Sequence, residues 1–177
     1  MSRLAGPCFA AVLLCTALQV AVAEEHVLRL QSGREVRYTL IEPDSSSSAL
    51  PVAREVLRYL ADGDIEMAAA QSNEPLRRRG VLRNYLASVG EDEFKRVFSE
   101  YASDATRVVA EVGIGVHRLI IWRLADPADH LAGQHYVMVE GRFRLDDEPN
   151  PVRADLQRVL QAYRRKEKGI ATERQQP

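Results

Sequence analysis

The chain is predicted to fold as one α+β domain, in which an N-terminal β-hairpin precedes amphipathic helices packed on an antiparallel sheet and a C-terminal helix closes the structure. Three observations predict it. Residues 26–42 alternate in two short runs around Gln31-Ser32-Gly33, which is a hairpin pattern. From Pro51 to Tyr101 apolar residues recur at helical spacing, and from Val108 to Leu145 they recur at a spacing of two.

The hairpin runs from His26 to Leu30 and from Arg34 to Glu42, with Gly33 at the left-handed position of its loop. A three-residue loop sets Leu28 opposite Val36 and His26 opposite Tyr38. It also sets Arg29 opposite Glu35 as a charge pair on the other face. Pro43, Asp44 and the serines 45–48 break all periodicity, so residues 44–50 read as a flexible connector.

Helix follows. Pro51 suits a first turn, and Val52, Val56, Leu57 and Leu60 form one stripe. Gly63 closes this helix and Asp64 caps a short second one that runs to about Gln71. A third begins near Pro75, buries Leu82, Tyr85, Leu86 and Val89, and stops at Gly90. Phe94, Val97, Phe98 and Tyr101 form the stripe of a fourth.

Val108, Ala110 and Val112 open the sheet region, with a bulge or turn expected at Gly113-Ile114-Gly115. Arg118 to Leu124 is too β-branched and aromatic for a helix, and Asp126-Pro127 ends that strand. Next, His135, Val137, Val139, Phe143 and Leu145 are assigned to an inward face. Tyr136, Met138, Glu140, Arg142 and Arg144 are assigned to a solvated one, with a kink at Gly141. Asn150 caps the last helix, Pro151 opens it, and Val152, Leu156, Val159, Leu160 and Tyr163 line its buried side. The domain is expected to span residues 24–169, and residues 170–177 read as a frayed, disordered tail.

Residues 1–23 read as a cleaved signal peptide: Arg3, an apolar run from Phe9 to Val22, then Ala21-Val22-Ala23 before the expected cut. Both cysteines, Cys8 and Cys15, fall inside it, so the remaining chain carries no thiol and its core must suffice without disulfides. Asn73, Asn84 and Asn150 form no glycosylation sequon, and basic charge is nearly all arginine. Export to a bacterial periplasm, or secretion, is the expected address, with no integral membrane segment after cleavage. The 24 basic and 25 acidic residues leave a net charge of −1, which lacks the bulk charge of a nucleic-acid binder.

Amphipathic helices followed by long antiparallel strands, together with VLRYLADGDIEMAAA at Val56 to Ala70, resemble the nuclear transport factor two-like, or cystatin-like, α+β superfamily. The resemblance covers residues 52–145, and Asp62-Gly63-Asp64 is its most specific piece. It implies an opening helix bent at Gly-Asp and packed into the concave face of a curved sheet, as a cone that encloses a pocket. It also implies homodimerisation through the sheet. The hairpin and the last helix lie outside it.

Proton-transfer enzymes of that superfamily need an acid or histidine in the cone, and His135 and His117 are the candidate catalytic residues. Under the face assignment above, no aspartate points inward from a strand. Tyr59, Tyr85, Tyr101, Trp122 and His135 are candidate ligand-binding residues, although aromatics at these spacings also suit a core. His117, His130 and His135 show no metal-ligand spacing, so neither a metal nor a cofactor is expected. Asp146-Asp147-Glu148 lacks calcium-loop spacing and reads as a solvated turn. No Gly-x-Ser-x-Gly turn is present for a serine nucleophile. Arg77-Arg78-Arg79 and the run 164–168 read as solvated helix faces or as surfaces for an anionic partner.

These observations favour an exported, non-catalytic binding protein that acts on a small molecule through a cavity or a sheet face. The alternatives are a small isomerase, cyclase or dehydratase, and an inhibitor- or immunity-type module that binds an envelope protein. The surface expected for that module is Tyr136, Met138, Arg142 and Arg144.

Overall fold

Four consecutive residues at the centre of the sheet, Leu119, Ile120, Ile121 and Trp122, are all buried. Side chains alternate across a strand, so such a run requires cover on both faces. The computed structural model, which describes residues 24–43, 45–124 and 130–167, supplies that cover. Ile120, Trp122 and Tyr136 pack against four helices, whereas Leu119, Ile121 and Leu131 pack against a fifth.

The elements run β1 (Glu25–Arg29), β2 (Glu35–Leu40), α1 (Leu50–Ala61), α2 (Ile65–Ala70), α3 (Pro75–Val89) and α4 (Glu91–Ala102). They continue as β3 (Arg107–Ile114), β4 (His117–Arg123), β5 (Leu131–Val139), β6 (Arg142–Leu145) and α5 (Pro151–Glu167). The strands form one antiparallel sheet in the order β1-β2-β3-β4-β5-β6, each beside its neighbours in the chain. Helices α1–α4 are thus an insertion between β2 and β3 that covers one face, and α5 covers the other. The architecture is α+β, with the hairpin first and a helix last, as the sequence predicts.

Local signals hold closely. In the hairpin, Leu28 pairs with Val36, His26 with Tyr38 and Arg29 with Glu35, and His26 stacks on Tyr38. Gly33 takes φ +80°, and Gly63 and Gly90 adopt the same sense where helices end. Asp64 accepts from the Met67 amide at the start of α2, and Asn150 accepts from the Arg153 amide at the start of α5.

Two expectations are corrected, and one resolves between its alternatives. The serine segment is pinned instead of flexible: Ser48 is buried, and its hydroxyl donates to Glu111 Oε2 at 2.5 Å. Of the bulge or turn expected at Gly113-Ile114-Gly115, the turn is present: β3 ends at Ile114, and Gly115 (φ 57°) with Val116 reverses the chain into β4, while a bulge lies between Val108 and Ala110. Gly141 does not kink one long strand, since Glu140 (φ 49°) and Gly141 (φ 77°) make a two-residue reversal that joins two strands. That reversal pairs Val139 with Arg142 and Tyr136 with Leu145, so face parity inverts across it. Phe143 and Leu145 therefore share the α1–α4 face with Tyr136 and Met138. The expected signal peptide, Asp44, Asp126-Pro127 and residues 170–177 lie outside the described residues.

Gly133 marks the closest approach of α5 to the sheet. A Cβ there would lie 2.6 Å from Leu160 Cδ2 and 3.0 Å from Leu119 Cδ1, both on fully packed side chains. Gly133→Ala is expected to cost about 1–3 kcal/mol through overpacking, read as a lower urea midpoint. An unchanged midpoint would show that α5 is not seated this tightly.

Candidate functional site

β6 is short and pairs only with Tyr136 to Val139. The first half of β5, Leu131 to His135, therefore has β4 on one side and, among the described residues, no strand on the other. Backbone groups alternate between neighbours in an antiparallel sheet, so Leu131, Gly133, His135 and Val137 all direct theirs toward the β6 side. The His135 carbonyl accepts the Asp146 amide at 2.9 Å. The Leu131 carbonyl accepts Arg164 Nε and Nη2 at 3.0 and 2.7 Å. Between them, the N–H and C=O of Gly133 face the open edge.

A cavity of about 260 Å³ opens at this edge, where the chain crosses from β6 to α5. Its apolar wall is built by Val56 and Leu60 of α1, Leu82 of α3, Phe98 of α4 and Leu145 of β6. The polar lining is Arg78, Gln134, His135, Asp146 and Arg153, joined by the Gly133 backbone. The amide of Gln134 is oriented by its neighbours: Oε1 accepts from Trp122 Nε1 at 2.9 Å and from the Tyr136 hydroxyl at 3.3 Å. Indole nitrogen only donates, so the Gln134 NH₂ is the end left for the cavity.

Asp146 organises the rim. Its side chain is 1% exposed and accepts from His117 Nδ1 at 3.1 Å, Asn150 Nδ2 at 3.0 Å and Asn73 Nδ2 at 3.2 Å. Its carbonyl takes Arg153 Nη1 at 2.7 Å. Asp147 beside it holds Arg78 through two parallel bonds, Nε at 2.8 Å and Nη2 at 2.6 Å, and accepts the Ser72 hydroxyl at 2.6 Å. A paired, planar bridge of this kind is among the stronger polar contacts available. Of the expected solvated turn, Glu148 is exposed, whereas Asp146 and Asp147 form a joint between the α2–α3 loop, β4, β5 and α5.

The two histidines differ. His117 is held through Nδ1 by Asp146, but it is not among the cavity-lining residues. His135 lines the cavity. Its Nε2 meets Gln157 Oε1 at 3.3 Å, while its Nδ1 is buried without a partner. Burial pushes the His135 imidazole below its ordinary value, with the Gln157 contact opposing, so it is neutral at pH 7.

Of the candidate ligand residues, His135 alone lines this cavity. Tyr85 and Tyr101 pack around Phe98, Tyr59 bonds Glu55, and Trp122 is buried, acting only through Gln134. The expected interaction surface is corrected too: Tyr136 is fully buried under α1–α4 and Met138 packs against the same core. Arg144 donates to the Ala70 carbonyl, and Arg142 is exposed. Arg78 and Arg79 are tied to Asp147 and Glu66, and Arg164 to Leu131, so these residues are not free helix faces.

Sequence reasoning missed Asp146, Gln134 and the inward Glu111 of β3, which is 2% exposed. The one available signal was the unbroken apolar run 119–122, which implies helices on both faces of the sheet.

Fold and site together define an α+β protein with a small, half-apolar cavity at an uncovered stretch of sheet edge. No family model, curated protein or solved structure matches the chain, so a functional reading rests on the geometry. Among the described residues, no helix is long and apolar enough to cross a membrane, and no group of His, Cys, Asp or Glu is placed to hold a metal ion.

Proposed function

We propose that this is an exported, non-catalytic binding protein whose site is the cavity at the β5 edge. The observation that supports it most is the combination of an apolar inner wall with a few oriented polar groups at one end, the usual composition of a small-molecule pocket. Native mass spectra of protein isolated gently from the periplasm test it. A reproducible adduct that disappears on denaturation is expected. A bare polypeptide in every preparation, together with Gly133 and Gln134 amide resonances unmoved by millimolar octan-1-ol, would overturn the reading.

A proton-transfer enzyme is the second reading, favoured by one observation. A buried carboxylate orients His117 through Nδ1, which in the neutral ring leaves Nε2 as a base. Binding is preferred because His117 stands outside the cavity lining.

A further inference from the structure

The hydrogen-bonding groups around the cavity are unequally divided. Both oxygens of Asp146 are occupied, by His117 and Asn150 on one and by Asn73 on the other. The Oε1 of Gln134 already takes two donors. What is left to an occupant is three donors, the Gln134 NH₂, the edge-facing Gly133 N–H and Arg153, which uses one nitrogen on a carbonyl and keeps the rest of its guanidinium, against two uncharged acceptors, the edge-facing Gly133 C=O and the unpartnered His135 Nδ1. Arg78 is neutralised by Asp147, so of the two arginines in the lining Arg153 is the one with binding capacity to spare. An occupant must therefore bring acceptors, and an anionic one gains charge-assisted bonds.

Opposite these donors stand Val56, Leu60, Leu82 and Phe98, which favour hydrocarbon. The volume of about 260 Å³ corresponds to roughly nine water-sized groups at about 30 Å³ each. We propose that the cavity takes a monocarboxylate with a short apolar tail, of the size of octanoate. The carboxylate lies between the Gln134 amide, Arg153 and the Gly133 N–H, and the tail lies against α1, α3 and α4. This assignment rests on the cavity being the binding site, and it adds the chemical class of the ligand.

The test titrates the protein with octanoate, octan-1-ol and octylammonium, following amide resonances of residues 132–135 and heats of binding. Octanoate is expected to shift these amides and to bind about tenfold or more tightly than octan-1-ol, the scale of one charge-assisted contact, with octylammonium weakest. Gln134→Glu keeps an acceptor for Trp122 but turns the cavity end into an anion, and is expected to weaken octanoate far more than octan-1-ol. Arg153→Gln gives the same direction through an independent residue if the first variant does not fold. Equal binding of octan-1-ol, or tighter binding of octylammonium, overturns the carboxylate assignment while the cavity reading stands. If none of the three probes moves these amides, the carboxylate assignment falls, and with a bare polypeptide in the native mass spectra the cavity reading falls too.

Discussion

Replacing Asp146 with alanine is expected to destabilise the protein by about 2–4 kcal/mol, because partly buried donors that lose their acceptor cost about 1–3 kcal/mol each and water recovers part of that loss. The side chain is almost fully enclosed and accepts from His117, Asn73 and Asn150. Its loss strands three donors drawn from three parts of the chain, and each buried donor without an acceptor costs about 1–3 kcal/mol. Asn150 also caps α5, so disorder at its amide weakens the seat of that helix. Asp146→Asn retains one acceptor oxygen and is expected to lose less. Denaturant midpoints of the two variants decide the matter, and a loss below about 1 kcal/mol for alanine would show that water replaces the carboxylate and that the joint is open.

Glu111 carries the second large effect. It lies on the α1–α4 face of β3, where Oε1 accepts the Ala49 amide at 2.7 Å and Oε2 accepts the Ser48 hydroxyl. Ala49, the cap position of α1, has no capping side chain of its own, so a carboxylate from a distant strand performs the task, favoured there by the helix dipole. Glu111→Ala leaves two buried donors unpaired and is expected to cost about 2–4 kcal/mol.

Burial pushes the Glu111 carboxyl above its ordinary range, opposed by the Ala49 and Ser48 bonds and by the charge of Arg118. A carboxyl raised in the folded state contributes stability that is complete below its unfolded pKa, about 4.3. That contribution is lost as pH rises through the folded value. Glu111→Gln removes this dependence, so its stability relative to the parent is expected to rise on going from about pH 4 toward neutrality. Parallel pH profiles for the two proteins would contradict a buried, raised carboxyl.

What could be seen in the sequence was what neighbours along the chain decide. The pairing of Leu28 with Val36, the caps at Asp64 and Asn150, and the helix stop at Gly90 all rest on interactions within a few residues. Their side chains and backbone conformations report directly on composition. The spacing within β5 does not decide the face of His135, which pairs with Leu119 and meets Gln157 of α5, not the α1–α4 face.

The failures have a common origin. A two-residue turn at Glu140-Gly141 and a kink at Gly141 leave the same alternating pattern in the sequence, yet the turn puts Phe143 and Leu145 together on the face of Tyr136 and Met138, and the kink would put both on the other face. Choosing between them needs the partner strand. Tyr136 reads as exposed only while nothing is known to cover its face.

The sequence by itself determined the α+β class, the order and limits of most elements, the hairpin register and the caps, because periodicity, turn residues and capping groups act over one or two turns of chain. Tertiary structure alone decided which face each strand of the sheet's second half presents, that α5 closes the second face, and that β6 stops short and leaves an edge. It alone brought Asp146 to Asn73 and His117, Glu111 to Ala49, and Gln134 to the rim of a cavity. Those contacts join residues tens of positions apart, and the penalty for leaving a buried acid or amide unpaired, which selects them, arises only once the layers have closed around it.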